Sequence, residues 1–255
     1  MAVTSNLLRV LGRYSKGLRL AAEHGAMSGM LVEYAYQNEP QGEGLVGRWI
    51  DRTFLQSRSW DTIRQRIVTT KELVSEVLTK RRANRQATVI LDIASGTAPY
   101  LRELAREHEG EDLIIECRDR DPRQVTHGRR LVARERLGAF SFSVGDATDE
   151  ASYLTALDPD ILLAVGLFPY LHGDEAVRTV LELAFKYVAP GGCFISSTIA
   201  ATSALSPWET DPFRPRPAVR DPDSIVRWLR ATGFIHVDQR YSQRDGFALI
   251  GWKPS

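Results

Sequence analysis

The run Val89-Ile90-Leu91-Asp92-Ile93-Ala94-Ser95-Gly96-Thr97-Ala98-Pro99-Tyr100-Leu101 constrains this chain more than any other stretch. An apolar segment ends on an acid, crosses small residues and opens directly into a helical pattern. A buried strand must therefore feed a helix through a tight turn. Such a turn leaves bare backbone at the positive end of a helix dipole. In an open α/β sheet, the crevice beyond the strand ends is where nucleotide-like ligands bind.

The same alternation continues downstream. Apolar runs at Thr88–Ile93, Leu113–Cys117, Phe140–Val144, Ile161–Leu167 and Cys193–Ile199 are mostly followed by helical patterns. Asp158-Pro159-Asp160 and Pro190-Gly191-Gly192 mark the starts of two of these strands. The alternation predicts a parallel sheet of right-handed βαβ units. The end differs: a helix over Pro222–Thr232 precedes Phe234–Tyr241 and Phe247–Trp252, which the turn candidate Arg244-Asp245-Gly246 joins into an antiparallel hairpin. A proline-rich stretch, Ala200–Val219, reads as a long loop at the ligand edge.

Residues 1–86 read as a separate helical cap, and residues 87–255 as the sheet domain. Leu7, Leu11, Tyr14 and Leu18 recur at helical spacing after the capping candidates Thr4 and Ser5. Ile63, Ile67, Val74 and Val77 form a second stripe that ends in Lys80-Arg81-Arg82. Gly42-Glu43-Gly44 is a turn between them.

Composition narrows the partners. A chain of 255 residues can hold one large α/β domain, or a standard domain plus a smaller helical piece. A net charge of +1 implies no general attraction to nucleic acid or to an anionic membrane. No apolar run reaches the roughly 20 residues of a membrane span, and no signal-peptide core is evident, so a cytoplasmic protein is expected. Cys117 and Cys193 fall inside strand-like runs; buried, reduced thiols are expected, and no metal site.

Three acids fall at the ends of the first three strands: Asp92, then Asp119 just past the second (beside Arg120), then Asp146 beside Ala147. A carboxylate beyond the second strand can accept from both ribose hydroxyls, and one after the third from an adenine amine. Each alone is explained as well by turn formation or helix capping. Three in register define a nucleoside-binding edge. A dinucleotide is disfavoured, because Ala98 and Leu101 stand where the G-x-G-x-x-G fingerprint needs its second and third glycines.

The order of these motifs, with the terminal antiparallel strand and Pro190-Gly191-Gly192 before the fifth strand, resembles the class I S-adenosylmethionine-dependent methyltransferases. The resemblance implies a Rossmann-like seven-stranded α/β sheet and S-adenosylmethionine as cofactor. It implies that Asp92, Ala94 and Gly96 meet the methionine part, Asp119 with Arg120 the ribose, and Asp146 with Ala147 the adenine. Gly166 and Leu167, opening the segment Gly166–Glu175, would face the sulfonium and the acceptor. There Tyr170 is a candidate hydrogen-bond donor or aromatic wall, and His172 a candidate general base; the alternative is that His172 caps or packs on the next helix.

A narrower resemblance spans nearly the whole chain. Ser28-Gly29-Met30, the block Tyr34 to Gly42, Ile50-Asp51 and Ile63-Arg64-Gln65-Arg66 resemble a little-characterised methyltransferase family in which such a block precedes D-I-A-A-G-H-G-R-Y. This chain departs at Thr97, Ala98 and Pro99. Tyr34, Tyr36, Trp49 and Trp60 are either core or an aromatic lid over a sulfonium, in which case Tyr34 and Tyr36 become catalytic candidates. Arg64, with Arg66 beside it, can clamp a carboxylate of the cofactor or of a substrate.

The function expected is methyl transfer to a small molecule, in which the protein aligns the nucleophile and excludes water. The alternative is that S-adenosylmethionine is itself the substrate, its amine displacing methylthioadenosine to give azetidine-2-carboxylic acid. A non-catalytic binding module is disfavoured by the three retained acids.

Overall fold

The computed structural model describes residues 11–25, 28–81, 87–109, 112–199, 218–241 and 246–255. The capping candidates Thr4 and Ser5, Leu7 of the first stripe, Arg82, the turn residues Arg244 and Asp245, and residues 200–217 of the proline-rich stretch lie outside them.

The N-terminal helices begin where a side chain satisfies their free amides. Helix α1 (Lys16–His24) is capped by Ser15, whose Oγ accepts from Leu18 N–H at 3.1 Å. Helix α2 (Gly29–Gln37) is capped likewise by Ser28 and stops at Asn38, which adopts the left-handed conformation. Helix α3 (Gly44–Leu55) and the long α4 (Arg58–Arg81) follow. The continuous stripe expected from Leu11 through Leu18 is interrupted: the chain turns at Arg13 and Tyr14, and Tyr14 is left exposed. Ser15 is the physical reason, since its hydroxyl caps a new helix and also donates to the buried Asp51.

The chain divides into two compact units, one holding the described residues up to Arg64 and the other beginning at Gln65. The packing boundary thus lies within α4, upstream of residue 86, where the change from helical to strand-like pattern falls.

The second unit is built on a seven-stranded sheet of order β3-β2-β1-β4-β5-β7-β6. Strand β1 (Thr88–Asp92) is buried throughout and pairs in parallel with β2 (Leu113–Asp119) and β4 (Ile161–Val165). Strand β3 (Phe140–Val144) extends one edge, and β5 (Cys193–Ile199) continues the parallel run on the other side. Strand β7 (Gly246–Trp252) inserts antiparallel between β5 and β6 (Ile235–Tyr241), so the terminal hairpin closes the sheet. The observed β2 runs two residues beyond the expected Cys117 and ends on Asp119 itself. Strand β4 stops at Val165, two residues short of Leu167, because Gly166 turns out of the ladder with φ +70°.

Helices α5 (Pro99–Glu107), α6 (Pro122–Glu135), α7 (Gly173–Tyr187) and α8 (Pro222–Thr232) follow β1, β2, β4 and β5 in the chain. Val177, Leu181, Ile225 and Leu229 from α7 and α8 pack with Leu91, Leu162, Phe194, Phe247 and Leu249 of the sheet, all buried. Each such side chain contributes roughly 1.5–3 kcal/mol when fully buried, and together they hold the strand ends in register. Cys117 and Cys193 are free and buried. Among the described residues no helix is long and apolar enough to cross a membrane, and no group of His, Cys, Asp and Glu has a metal-holding arrangement.

Candidate active site at the C-terminal edge of the sheet

The loops leaving β1, β2 and β3 are tied to one another by backbone amides. Ser95 N–H donates to the Arg118 carbonyl at 3.0 Å, and Gly145 N–H to the Asp119 carbonyl at 3.1 Å. The Asp119 carboxylate is held from both sides: Gly96 N–H donates to Oδ2 at 2.9 Å and Asp121 N–H to Oδ1 at 2.9 Å. Burial pushes its pKa up, and the two amides and the exposed Arg120 oppose that shift. A carboxylate has about four lone-pair positions, and these amides use two. Asp119 is therefore a fixed, largely desolvated acceptor with capacity left over.

Asp92, at the end of β1, is fully buried. Its oxygens accept from Ala94 N–H at 3.0 Å and from the Tyr100 hydroxyl at 2.7 Å. Burial outweighs both bonds and raises its pKa to about 7. The turn that follows needs two left-handed residues, Gly96 at φ +56° and Ala98 at φ +53°. Ala98 stands where the similar family carries glycine, and it keeps the turn: its N–H donates to the Ser95 carbonyl at 2.8 Å and it forms the N-cap position of α5. Pro99 occupies the first turn of that helix, where a missing amide costs nothing. Ala94 is half-buried in the same turn.

Asp146 follows β3 and is exposed. Its Oδ1 accepts from Thr148 N–H at 2.8 Å and from Thr148 Oγ1 at 2.7 Å, which holds its pKa below the usual carboxylate range. Ala147 beside it is buried, its carbonyl accepting from the Tyr153 hydroxyl at 2.7 Å.

After β4, Gly166 N–H donates to Ser197 of β5, to the carbonyl at 3.2 Å and to Oγ at 3.1 Å. Leu167 and Tyr170 are half-buried, and Phe168–Tyr170 forms a single 3-10 turn. This segment is fixed by Arg220, which donates to the carbonyls of Phe168 (2.6 Å), Leu171 (3.0 Å) and Gly173 (2.8 Å) and to Asp174 Oδ1 (2.9 Å). His172 sits at the N-cap position of α7, exposed, and its side chain makes no capping bond.

Three predicted residues belong to the helical unit. The Tyr34 hydroxyl donates to Asp51 and accepts from Gln41 N–H at 2.9 Å; burial and then the Asp51 bond raise its pKa, so it keeps its proton. Tyr36 is half-buried on α2. Arg64 Nη1 donates to the carbonyls of Ala35 (3.1 Å) and Leu55 (2.9 Å), and its Nη2 lies 3.7 Å from Asp61. Of the four aromatics weighed as core or lid, Tyr34 and Trp60 are buried and Trp49 is exposed.

Two residues that shape the edge were missed. Tyr100 stands eight residues after Asp92, across the turn and in the first turn of α5, where a search for ligand-binding acids passes it over. Arg220 carries no local signal, because its partners lie some fifty positions away.

The parallel order 3-2-1-4-5 closed by an antiparallel seventh strand, with acids at three successive strand ends, defines the class I S-adenosylmethionine-dependent methyltransferase fold. The chain belongs to the "Putative methyltransferase" family, whose model matches residues 1–205. It is 32% identical over 192 residues to the uncharacterized protein YnbC of Escherichia coli (strain K12), covering 74% of this chain and 32% of that protein. The chain thus spans about a third of the length of that relative. Among solved structures it is similar to a possible exported protein from Bordetella parapertussis, with TM-score 0.76, 20% identity and coverage of 98% of this chain and 87% of that one. It is also similar to magnesium protoporphyrin IX methyltransferase (ChlM) from Synechocystis PCC 6803 with bound SAH, with TM-score 0.59, 13% identity and coverage of 76% and 86%.

Proposed function

We propose that this chain holds S-adenosylmethionine along the C-terminal edge of the sheet and transfers its methyl group to a small molecule. The observation that carries the reading is Asp119, whose carboxylate is fixed by two amides and retains lone pairs for two further donors. A ribose diol supplies two such donors at the spacing of one carboxylate. The rest of the edge fits the same ligand. Asp146, ionised by its Thr148 bonds, is an acceptor for the exocyclic adenine amine, with Ala147 beside the ring. Gly96 and Ala94 keep the backbone bare for the methionine part over Asp92.

When bound, the cofactor supplies an already activated methyl group. What the protein adds is alignment and exclusion of water. Gly166 and Leu167 flank the reacting end, Tyr170 offers a hydroxyl and a ring wall, and exposed His172 is the candidate to take a proton from the acceptor. A small, uncharged or weakly charged acceptor agrees with the net charge of +1. Free, buried Cys117 and Cys193 accord with a reducing, cytoplasmic setting.

The test is calorimetric titration with S-adenosylhomocysteine, comparing the protein with Asp119→Ala. Binding that falls at least tenfold in the variant is expected; unchanged binding rejects the site. Incubation with S-adenosylmethionine alone, followed by mass spectrometry, tests the reaction. No turnover is expected without an acceptor. Accumulation of methylthioadenosine with a four-membered imino acid rejects methyl transfer in favour of cyclisation.

A further inference from the structure

The segment between β4 and α7 carries Tyr170 and His172, and its own backbone holds it weakly. Among the described residues its internal backbone bonds run from Tyr170 N–H to the Leu167 carbonyl at 2.9 Å and from Leu171 N–H to the Phe168 carbonyl at 3.3 Å. Both of its ends are glycines in the left-handed region, Gly166 at φ +70° and Gly173 at φ +77°. Glycine adopts either sign of φ with equal ease, so neither end dictates the path between them.

What fixes that path comes from beyond β5. Ala218 N–H donates to the Pro169 carbonyl at 2.7 Å. The buried Arg220 guanidinium takes the carbonyls of Phe168, Leu171 and Gly173 and the exposed Asp174 carboxylate. Four of its five N–H donors are thus spent on one short stretch of chain. Phe168 is seated in the core with its ring 6.4 Å from that of Phe194, so packing holds its side chain and Arg220 the backbone around it. Tyr170 lies between the carbonyls of Phe168 and Leu171, and His172 between those of Leu171 and Gly173. Any change in the grip of Arg220 therefore moves both side chains, and a misplacement of about 1 Å at a reacting centre can cost on the order of a hundredfold in rate.

We propose that Arg220 is a positioning residue for the reacting end of the site: it sets where Tyr170 and His172 stand relative to the sulfonium, acting through the segment rather than on the cofactor. The inference rests on the cofactor site proposed above. A planar fork of donors can meet acceptors on several sides of a turn at once, whereas a lysine ammonium presents three donors at a single atom and cannot meet all four.

The experiment compares, by calorimetry, two ligands that differ only at the reacting end: S-adenosylhomocysteine, and sinefungin, in which a carbon bearing an ammonium replaces the sulfur. The aromatic face and hydroxyl of Tyr170 favour the added cation, so the ratio of the two affinities reports the placement of the segment and is blind to a general loss of fold. In Arg220→Met sinefungin should bind roughly tenfold more weakly, about 1.4 kcal/mol, while S-adenosylhomocysteine binding changes by less than about twofold. Arg220→Lys should show the same selective loss at about threefold, because the ammonium keeps part of the grip. Equal weakening of both ligands would mean that Arg220 only supports the fold, and it overturns the proposal, as does unchanged sinefungin binding. Should Arg220→Met fail to fold, Arg220→Lys decides by the same ratio. If neither ligand binds the unaltered protein, the cofactor site itself is wrong and this inference goes with it; if both bind and only their ratio ignores Arg220, the site stands and Arg220 alone is reassigned.

Discussion

One buried polar centre in each unit makes the comparison, the carboxylate of Asp51 in the helical unit and the strand-end edge of the sheet unit. In the helical unit, Asp51 is fully buried and surrounded by donors: the Ser15 and Tyr34 hydroxyls, Gly17 N–H at 3.1 Å and Gln41 N–H at 3.2 Å. These donors come from the starts of α1 and α2's interior and from the loop before α3, so one carboxylate ties three segments together. At the sheet edge the polar groups are covered but incompletely satisfied. The pKa of Asp92 is raised to about 7, that of Asp119 is raised with lone pairs to spare, and Arg66 Nε is buried with no hydrogen-bond partner among the described residues. A satisfied node specifies structure; an unsatisfied one stores an interaction that a ligand can complete.

If that contrast is right, the helical node should respond most to mutation. Asp51→Ala leaves the Ser15 and Tyr34 hydroxyls and Gly17 N–H without this acceptor, while Gln41 N–H keeps the Tyr34 oxygen, and should lower stability by about 3–5 kcal/mol, read by chemical denaturation. A loss below 1 kcal/mol would erase the distinction between the two regions.

Asp92 sharpens the comparison through pH. Its folded pKa of about 7 lies above the ordinary 3.8, so the folded protein binds the proton more tightly than the unfolded chain. Its contribution to stability is therefore greatest below about pH 4, falls as pH rises to about 7, and is flat above. The full span is of order 2–4 kcal/mol. Asp92→Asn should flatten the slope of stability between pH 5 and pH 7.5; an unaltered slope would assign it to other groups.

Asp119→Ala should separate binding from folding. We expect a ten- to hundredfold loss in S-adenosylhomocysteine affinity with a change in stability under about 1 kcal/mol, because the carboxylate is already disfavoured by burial. A large drop in melting temperature with intact affinity would place Asp119 with Asp51 as a structural group.

The smallest effect is at Ala98. Its left-handed backbone carries a strain of roughly 1 kcal/mol that glycine lacks, and Ala98→Gly should raise stability by up to about that amount in thermal unfolding. No gain would mean that the buried Ala98 methyl group offsets the strain by packing.

Much of the sheet unit was legible in the sequence. Its strands are short apolar runs bounded by turn residues, and its three acids lie at strand ends where the period-2 pattern stops, so pattern and place coincide. Strand limits were less legible: Gly166 leaves the ladder inside an apolar run, and Asp119 extends one past its apolar part. The break before α1 was hidden because Leu11, Tyr14 and Leu18 keep helical spacing across it, and only the bonds of Ser15 reveal it.

The arginines mark the boundary between the two kinds of information. Ile63-Arg64-Gln65-Arg66 names two candidates, and helical geometry alone puts them about 200° apart around α4. Local sequence therefore establishes three acids at successive strand ends and two cations on opposite helix faces. Only tertiary packing decides that Arg64 is taken up by the carbonyls of Ala35 and Leu55, while Arg66 is covered against Gly166 and meets no acid among the described residues. The reason is physical: propensity and periodicity act over a few residues, whereas the desolvation of a charge depends on atoms brought to it from a hundred positions away.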